Sequence, residues 1–118
     1  DAVFGGDGIV VHNGAAGFNG DDSGNAVVVD SGGRILVTGS STNLNGNTDM
    51  VVWRFSAVGA IDTTFGANNV LVHDSASGGG GADSGSAVAI DSQKRIFIAG
   101  SSGNSAGNAD MVLWRVFP

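Results

Sequence analysis

Shifted by about 61 positions, the chain aligns with itself. Asp1–Ala57 lies on Asp62–Pro118 without a gap, and about half of the paired positions are identical. Phe4-Gly5 meets Phe65-Gly66, Val11-His12 meets Val72-His73, and Asp22-Ser23-Gly24 meets Asp83-Ser84-Gly85. Arg34-Ile35 meets Arg95-Ile96, and Gly39-Ser40-Ser41 meets Gly100-Ser101-Ser102. The longest shared signature is Asp49-Met50-Val51-x-Trp53-Arg54 against Asp110-Met111-Val112-x-Trp114-Arg115. Identity on this scale is a duplication. A duplicated chain folds as two copies of one supersecondary unit, here residues 1–61 and 62–118.

Within each copy the hydrophobic pattern is that of strands. Short runs rich in valine and isoleucine alternate with Gly/Asn/Ser/Asp clusters, and no helical stripe of apolar residues occurs. The runs are Ile9–His12, Ala26–Asp30, Arg34–Thr38 and Met50–Phe55, then Val70–His73, Ala87–Asp91, Arg95–Ala99 and Met111–Phe117. Apolar residues occupy both alternating sets: Val51, Trp53 and Phe55 on one, Met50 and Val52 on the other. Such strands are buried on both faces, as when sheets pack between sheets. The expected fold is all-β, with two four-stranded antiparallel β-propeller blades per chain. A two-sheet β-sandwich is the runner-up. A calcium-binding nonapeptide array fits less well. Gly78–Asp83 opens like that motif but continues to Gly85, and its counterpart Gly17–Asp22 breaks the pattern.

These residues resemble the delta-60 repeat family, bacterial tandem repeats described as a β-propeller domain of unknown function. The family pattern has an Asp-x-x-Phe-Gly opening, an alanine-containing strand, Gly-(Lys/Arg)-Ile, Val-x-Gly-Ser-Ser, and Asp-x-x-x-x-Arg. Copy one supplies Asp1–Gly5, Ala26–Val29, Gly33-Arg34-Ile35, Val37–Ser41 and Asp49–Arg54; copy two supplies Asp62–Gly66, Ala87–Ile90, Arg95-Ile96, Ile98–Ser102 and Asp110–Arg115. Lys94 departs from the pattern, standing where glycine is preferred. The resemblance implies the propeller fold, tandem arrays and a bacterial surface location, and brings no catalytic residue.

Strand order gives an expectation about assembly. If Ala26–Asp30 is innermost, each copy reads outer, inner, second, third. Val70–His73 then completes the blade begun by copy one, so blades are offset from repeats. Ile9–His12 precedes any blade of its own, and the blade of copy two lacks a fourth strand. The simplest completion pairs Ile9, Val10, Val11 and His12 of one chain with Met111, Val112, Leu113, Trp114, Arg115 and Val116 of the next. A head-to-tail contact of this kind closes into a ring or runs on as a fibre. The expected partner is the chain itself, with a six-bladed homotrimer favoured and an eight-bladed tetramer next.

Composition excludes several function classes. The net charge is −6 with five basic residues, which argues against nucleic acid and anionic membrane as partners. No apolar run is long enough to span a bilayer. There is no cysteine, no Gly-x-Ser-x-Gly elbow and no phosphate-binding loop, so no enzyme is expected and no cofactor is required. Small polar residues, few lysines and an opening without Met suggest a secreted or surface product, mature or cut from a longer repeat protein.

Long polar segments at Asn13–Asn25, Ser40–Asp49, Asp74–Ser86 and Ser101–Asp110 would share one rim, marking it as a binding face for glycans or another ligand. Asp21, Asp22, Asp49, Asp83 and Asp110 lie there and could hold calcium. The favoured reading is that Asp22 and Asp83, and likewise Asp49 and Asp110, cap turns by accepting backbone amides. His12 and His73 sit at equivalent positions, but on outer strands that do not converge on a metal. Trp53 and Trp114 read as core before sugar platforms, and Arg54 and Arg115 as partners of structural carboxylates.

Overall fold

The computed structural model describes residues 1–118 as seven strands and no helix. They are β1 (Gly17–Val29), β2 (Ile35–Asn43), β3 (Thr48–Phe55), β4 (Val70–His73), β5 (Asp83–Ile90), β6 (Ile96–Gly103) and β7 (Ala109–Val116). The first sheet has the order β1-β2-β3-β4 and the second β5-β6-β7, all antiparallel. Each is a meander of consecutive strands. No strand crosses from one sheet to the other as a Greek-key sandwich requires. These are two propeller blades.

The offset between repeat and blade is present in the first sheet. β4 belongs to copy two, yet pairs with β3 of copy one, Met50 opposite His73 and Trp53 opposite Val70. The second sheet stops at β7, with three strands.

Turn chemistry sets each inner hairpin. Asp30 Oδ1 accepts from the amides of Gly32 (2.8 Å) and Arg34 (2.9 Å), while its Oδ2 accepts from Arg34 Nε at 2.6 Å. Asp91 repeats this with Gln93, Arg95 and Arg95 Nε. Both turns need a left-handed residue, and Gly33 takes it at φ 78°. At the inner strands the backbones approach closely beside a bulge. A Cβ on Gly39 would lie 1.7 Å from the Ser23 carbonyl oxygen, and on Gly100 1.9 Å from that of Ser84.

The main core lies between the blades. Leu36, Met50 and Val52 of blade one pack with Ile96, Ile98 and Trp114 of blade two, and Phe65 closes the cluster. A second cluster, Val51, Trp53, Phe55 and Val70, lies on the other side of β3. Double-sided burial therefore holds for β3, in which every residue after Thr48 is buried. β7 differs: only Trp114 is buried, because no third blade lies behind it.

Three expectations need correction. Ile9–His12 is not a regular strand in the single chain, where no strand pairs with it. The polar segments are shorter as loops than expected: β1 begins at Gly17, β2 runs to Asn43 and β6 to Gly103, whereas the connection before β5 keeps residues 74–82. The connection between β2 and β3 shrinks to residues 44–47, and the longest, residues 56–69, lies on the opposite rim. Arg115 is exposed, whereas its counterpart Arg54 is buried.

Candidate functional site

The N-terminal arm is ordered by the same contacts that order its counterpart in copy two. Asp1 Oδ1 accepts from Val3 N at 2.9 Å, as Asp62 Oδ1 does from Thr64 N at 2.9 Å. Gly14 N donates to Asp22 Oδ2 (2.8 Å), and Ser75 N to Asp83 Oδ2 (2.7 Å). Ala16 N donates to Ser41 Oγ (2.9 Å), and Ser77 N to Ser102 Oγ (3.1 Å). His12 packs edge-on to Trp53 with ring centroids 6.2 Å apart, and His73 to Trp114 at 6.1 Å. Trp53 Nε1 also donates to His12 Nδ1 at 3.1 Å, while Trp114 Nε1 is buried without a partner. Residues 9–16 thus stand against blade one as residues 70–77 stand against blade two.

The two ends differ from the interior in what is covered. Met50 and Val52 are fully buried, but their counterparts Met111 and Leu113 are 79% and 62% exposed. Val88 and Ile90 pack on the central core, but their counterparts Val27 and Val29 are 63% and 60% exposed. A cleft of about 440 Å³ opens on the front of blade one, lined by Val10, His12, Val27, Ile35, Val37 and Trp53 among others. Ile35, Val37 and Trp53 are the counterparts of Ile96, Ile98 and Trp114, which in blade two receive Leu36, Met50 and Val52. The total surface, 6317 Å², exceeds the roughly 5,800 Å² expected of a monomer of this mass. Exposed apolar side chains at the two ends, Val27 and Val29 on one and Met111 and Leu113 on the other, contribute to it.

The buried arginine is paired. Arg54 Nε donates to Asp62 Oδ2 at 2.8 Å, and the guanidinium lies 4.5 Å from the Phe65 ring centroid. Hydrogen bonds from the Thr64 hydroxyl and amide, with Arg54 beside them, hold the Asp62 carboxyl down to about 2. Arg115 has no such partner within its own chain, and the residues equivalent to Asp62 and Phe65 are Asp1 and Phe4.

Of the five acidic rim residues, the fold brings two together and adds a third. Asp49, Asp74 and Asp83 each place a carboxylate oxygen within 4.8 Å of the others, where blade one meets blade two. Asp83 is fully buried and Asp49 nearly so; Asp74 is exposed. No arginine or lysine forms an ion pair with them. Two full charges at that distance repel by roughly 3 kcal/mol at an effective dielectric of about 20. Burial pushes the Asp49 carboxyl up, a hydrogen bond from Asn43 (2.6 Å) opposes this, and the charges of Asp74 and Asp83 add to it. Asp83 Oδ1 is buried without a hydrogen-bond partner, and so is Asp22 Oδ1 at the equivalent place in copy one.

Asp21 and Asp110 are exposed and stand outside this cluster, as does Asp22. Sequence reasoning missed Asp74 because copy one carries Asn13 at that position, so the carboxylate is not duplicated. Its sequence signal was its place directly after β4, facing the segment that enters β5. Trp53 and Trp114 are only 4% and 7% exposed, which removes them as sugar platforms.

Residues 32–65 match the model of a family described as a domain of unknown function (DUF5122) beta-propeller. No curated protein and no solved structure matches the chain. The matched segment runs from the Gly33-Arg34 turn through β2 and β3 to the Asp62–Phe65 opening of copy two. It covers well under half of the chain and spans the junction between the two copies. β2, β3 and the connection that follows them are thus similar to a stretch of the DUF5122 beta-propeller domain, in keeping with the two blades.

Proposed function

We propose that the chain is a non-catalytic structural and interaction module of a secreted or surface protein, joined head-to-tail to further copies by strand pairing. The observation that carries this reading is the placement of Ile9–His12. Against blade one it stands where β4 stands against blade two, with its outward residues Ile9 and Val11 63% and 85% exposed. β4 in that place pairs with β3, so the arm offers its free edge to a β7 from another chain. The register of β3 and β4 carries over directly: Met111 opposite His12, Val112 opposite Val11, Leu113 opposite Val10, Trp114 opposite Ile9. The same operation would bring Met111 and Leu113 over the front of a second blade one, and Arg115 to Asp1 and Phe4.

Propellers of 4–8 blades need two to four such chains, and we favour three. The mass of the protein in solution tests this, with a trimer expected and a tetramer as the next closed ring. A stable single chain at micromolar concentration would overturn the reading. The alternative, a glycan- or ligand-binding rim, would have to use the connections at residues 44–47, 74–82 and 104–108, because both tryptophans are core.

A further inference from the structure

We propose that Asp49, Asp74 and Asp83 form a binding site for a hard divalent cation of calcium's class, set between the two blades. The site lies within one chain and does not rest on the assembly proposed above. Two observations carry it. Three carboxylate oxygens converge within 4.8 Å from three separate stretches: the start of β3, the segment after β4 and the start of β5. Within that cluster the fully buried Asp83 uses Oδ2 to accept from the Ser75 amide, while Oδ1 has no partner at all.

A buried carboxylate oxygen without a donor loses its hydration and gains nothing in return. No cationic side chain makes an ion pair with the cluster. A turn cap explains only the oxygen bound to Ser75. The donors are all carboxylate oxygens, with no histidine nitrogen or thiolate among them, which suits calcium over zinc or copper. Exposed Asp74 leaves one side open, so water would complete the coordination sphere. A cation here would bridge β3 of one blade to β5 of the next and fasten the blades at the rim.

The test is calorimetric titration of the full chain, stripped of metal, with calcium chloride, together with its thermal unfolding. We expect saturable binding with a dissociation constant of about 10⁻⁴–10⁻³ M, the range of extracellular calcium modules, and an upward shift in Tm. Asp74→Asn, at an exposed position, should keep the metal-free Tm and weaken binding about tenfold or more. Asp83→Asn should abolish binding, and Asp21→Asn, which removes the same charge outside the cluster, should leave it unchanged. No saturable heat up to about 10 mM calcium, or an Asp74→Asn chain that binds like the parent, would overturn the proposal. Failure to oligomerise leaves this result intact, and failure to bind calcium leaves the assembly reading intact.

Discussion

Gly33 and Lys94 hold the same backbone conformation, φ 78° and 64°, at equivalent places in the two inner hairpin turns. The flanking aspartates bind the same amides in both, so the turn is set by its hydrogen bonds and imposes the left-handed residue on lysine. Glycine takes that conformation without a steric penalty, whereas a residue with a Cβ pays roughly 1 kcal/mol. Lys94→Gly should therefore stabilise the chain by about 0.5–1 kcal/mol, and Gly33→Lys should destabilise it by about 1 kcal/mol. Denaturant midpoints of the two variants check this.

The Arg54–Asp62 pair should give stability a dependence on acid. The Asp62 carboxyl is held at about 2 against an ordinary 3.8, so its contribution is complete above that ordinary value. It is lost as pH falls through the window down to about 2. Asp30 and Asp91 are also shifted down, through their bonds to Arg34 and Arg95 and against the effect of burial, and act in the same direction. Asp62→Asn should flatten the slope of Tm against pH in that window without abolishing it. Because it leaves the buried Arg54 charge without its carboxylate, it should also cost about 2–4 kcal/mol at neutral pH.

Met50 and Met111 are the same residue of the repeat in opposite surroundings, one fully buried and one 79% exposed. In dilute protein, Met50→Ala should cost about 2–5 kcal/mol and Met111→Ala less than about 0.5 kcal/mol. If chains join, the cost of Met111→Ala should rise with concentration towards that of Met50→Ala. Unfolding curves measured over a wide concentration range distinguish the two behaviours.

The proposed register can be trapped covalently, because the chain has no cysteine of its own. Val11→Cys with Val112→Cys places a thiol on each side of the expected junction. Directly opposed antiparallel residues lie about 4.5–5.5 Å apart at Cα, within disulfide reach. Mild oxidation should give covalent rings or ladders on non-reducing gels. Moving one cysteine to Val10, which flips the face, should sharply reduce the yield.

What the sequence made legible was the repeat, the strand class and the phase of the blades. β4 falls on the residues expected, Val70–His73, because its apolar run is bounded by Asn69 and Asp74. β1 begins well before its apolar run, in Gly17–Asn25, whose turn-forming residues read as a loop. That stretch is extended because neighbouring inner backbones pack too closely for larger side chains, as Gly39 and Gly100 attest. Composition cannot show this, because small residues serve turns and tight sheets alike. The acidic cluster was half legible: Asp49 and Asp83 are duplicated, but their convergence with Asp74 depends on how one blade stacks on the next.

The phase shift between repeat and blade also bears on how such a chain can grow. Each unit arrives carrying the closing strand for the unit before it, so an inserted copy brings its own seam. Gaining or losing a copy leaves the two termini chemically unchanged and requires no new fit between surfaces. Tandem duplication at the gene level would then add a blade through contacts of the kind already made between these two, with no new surface to be fitted.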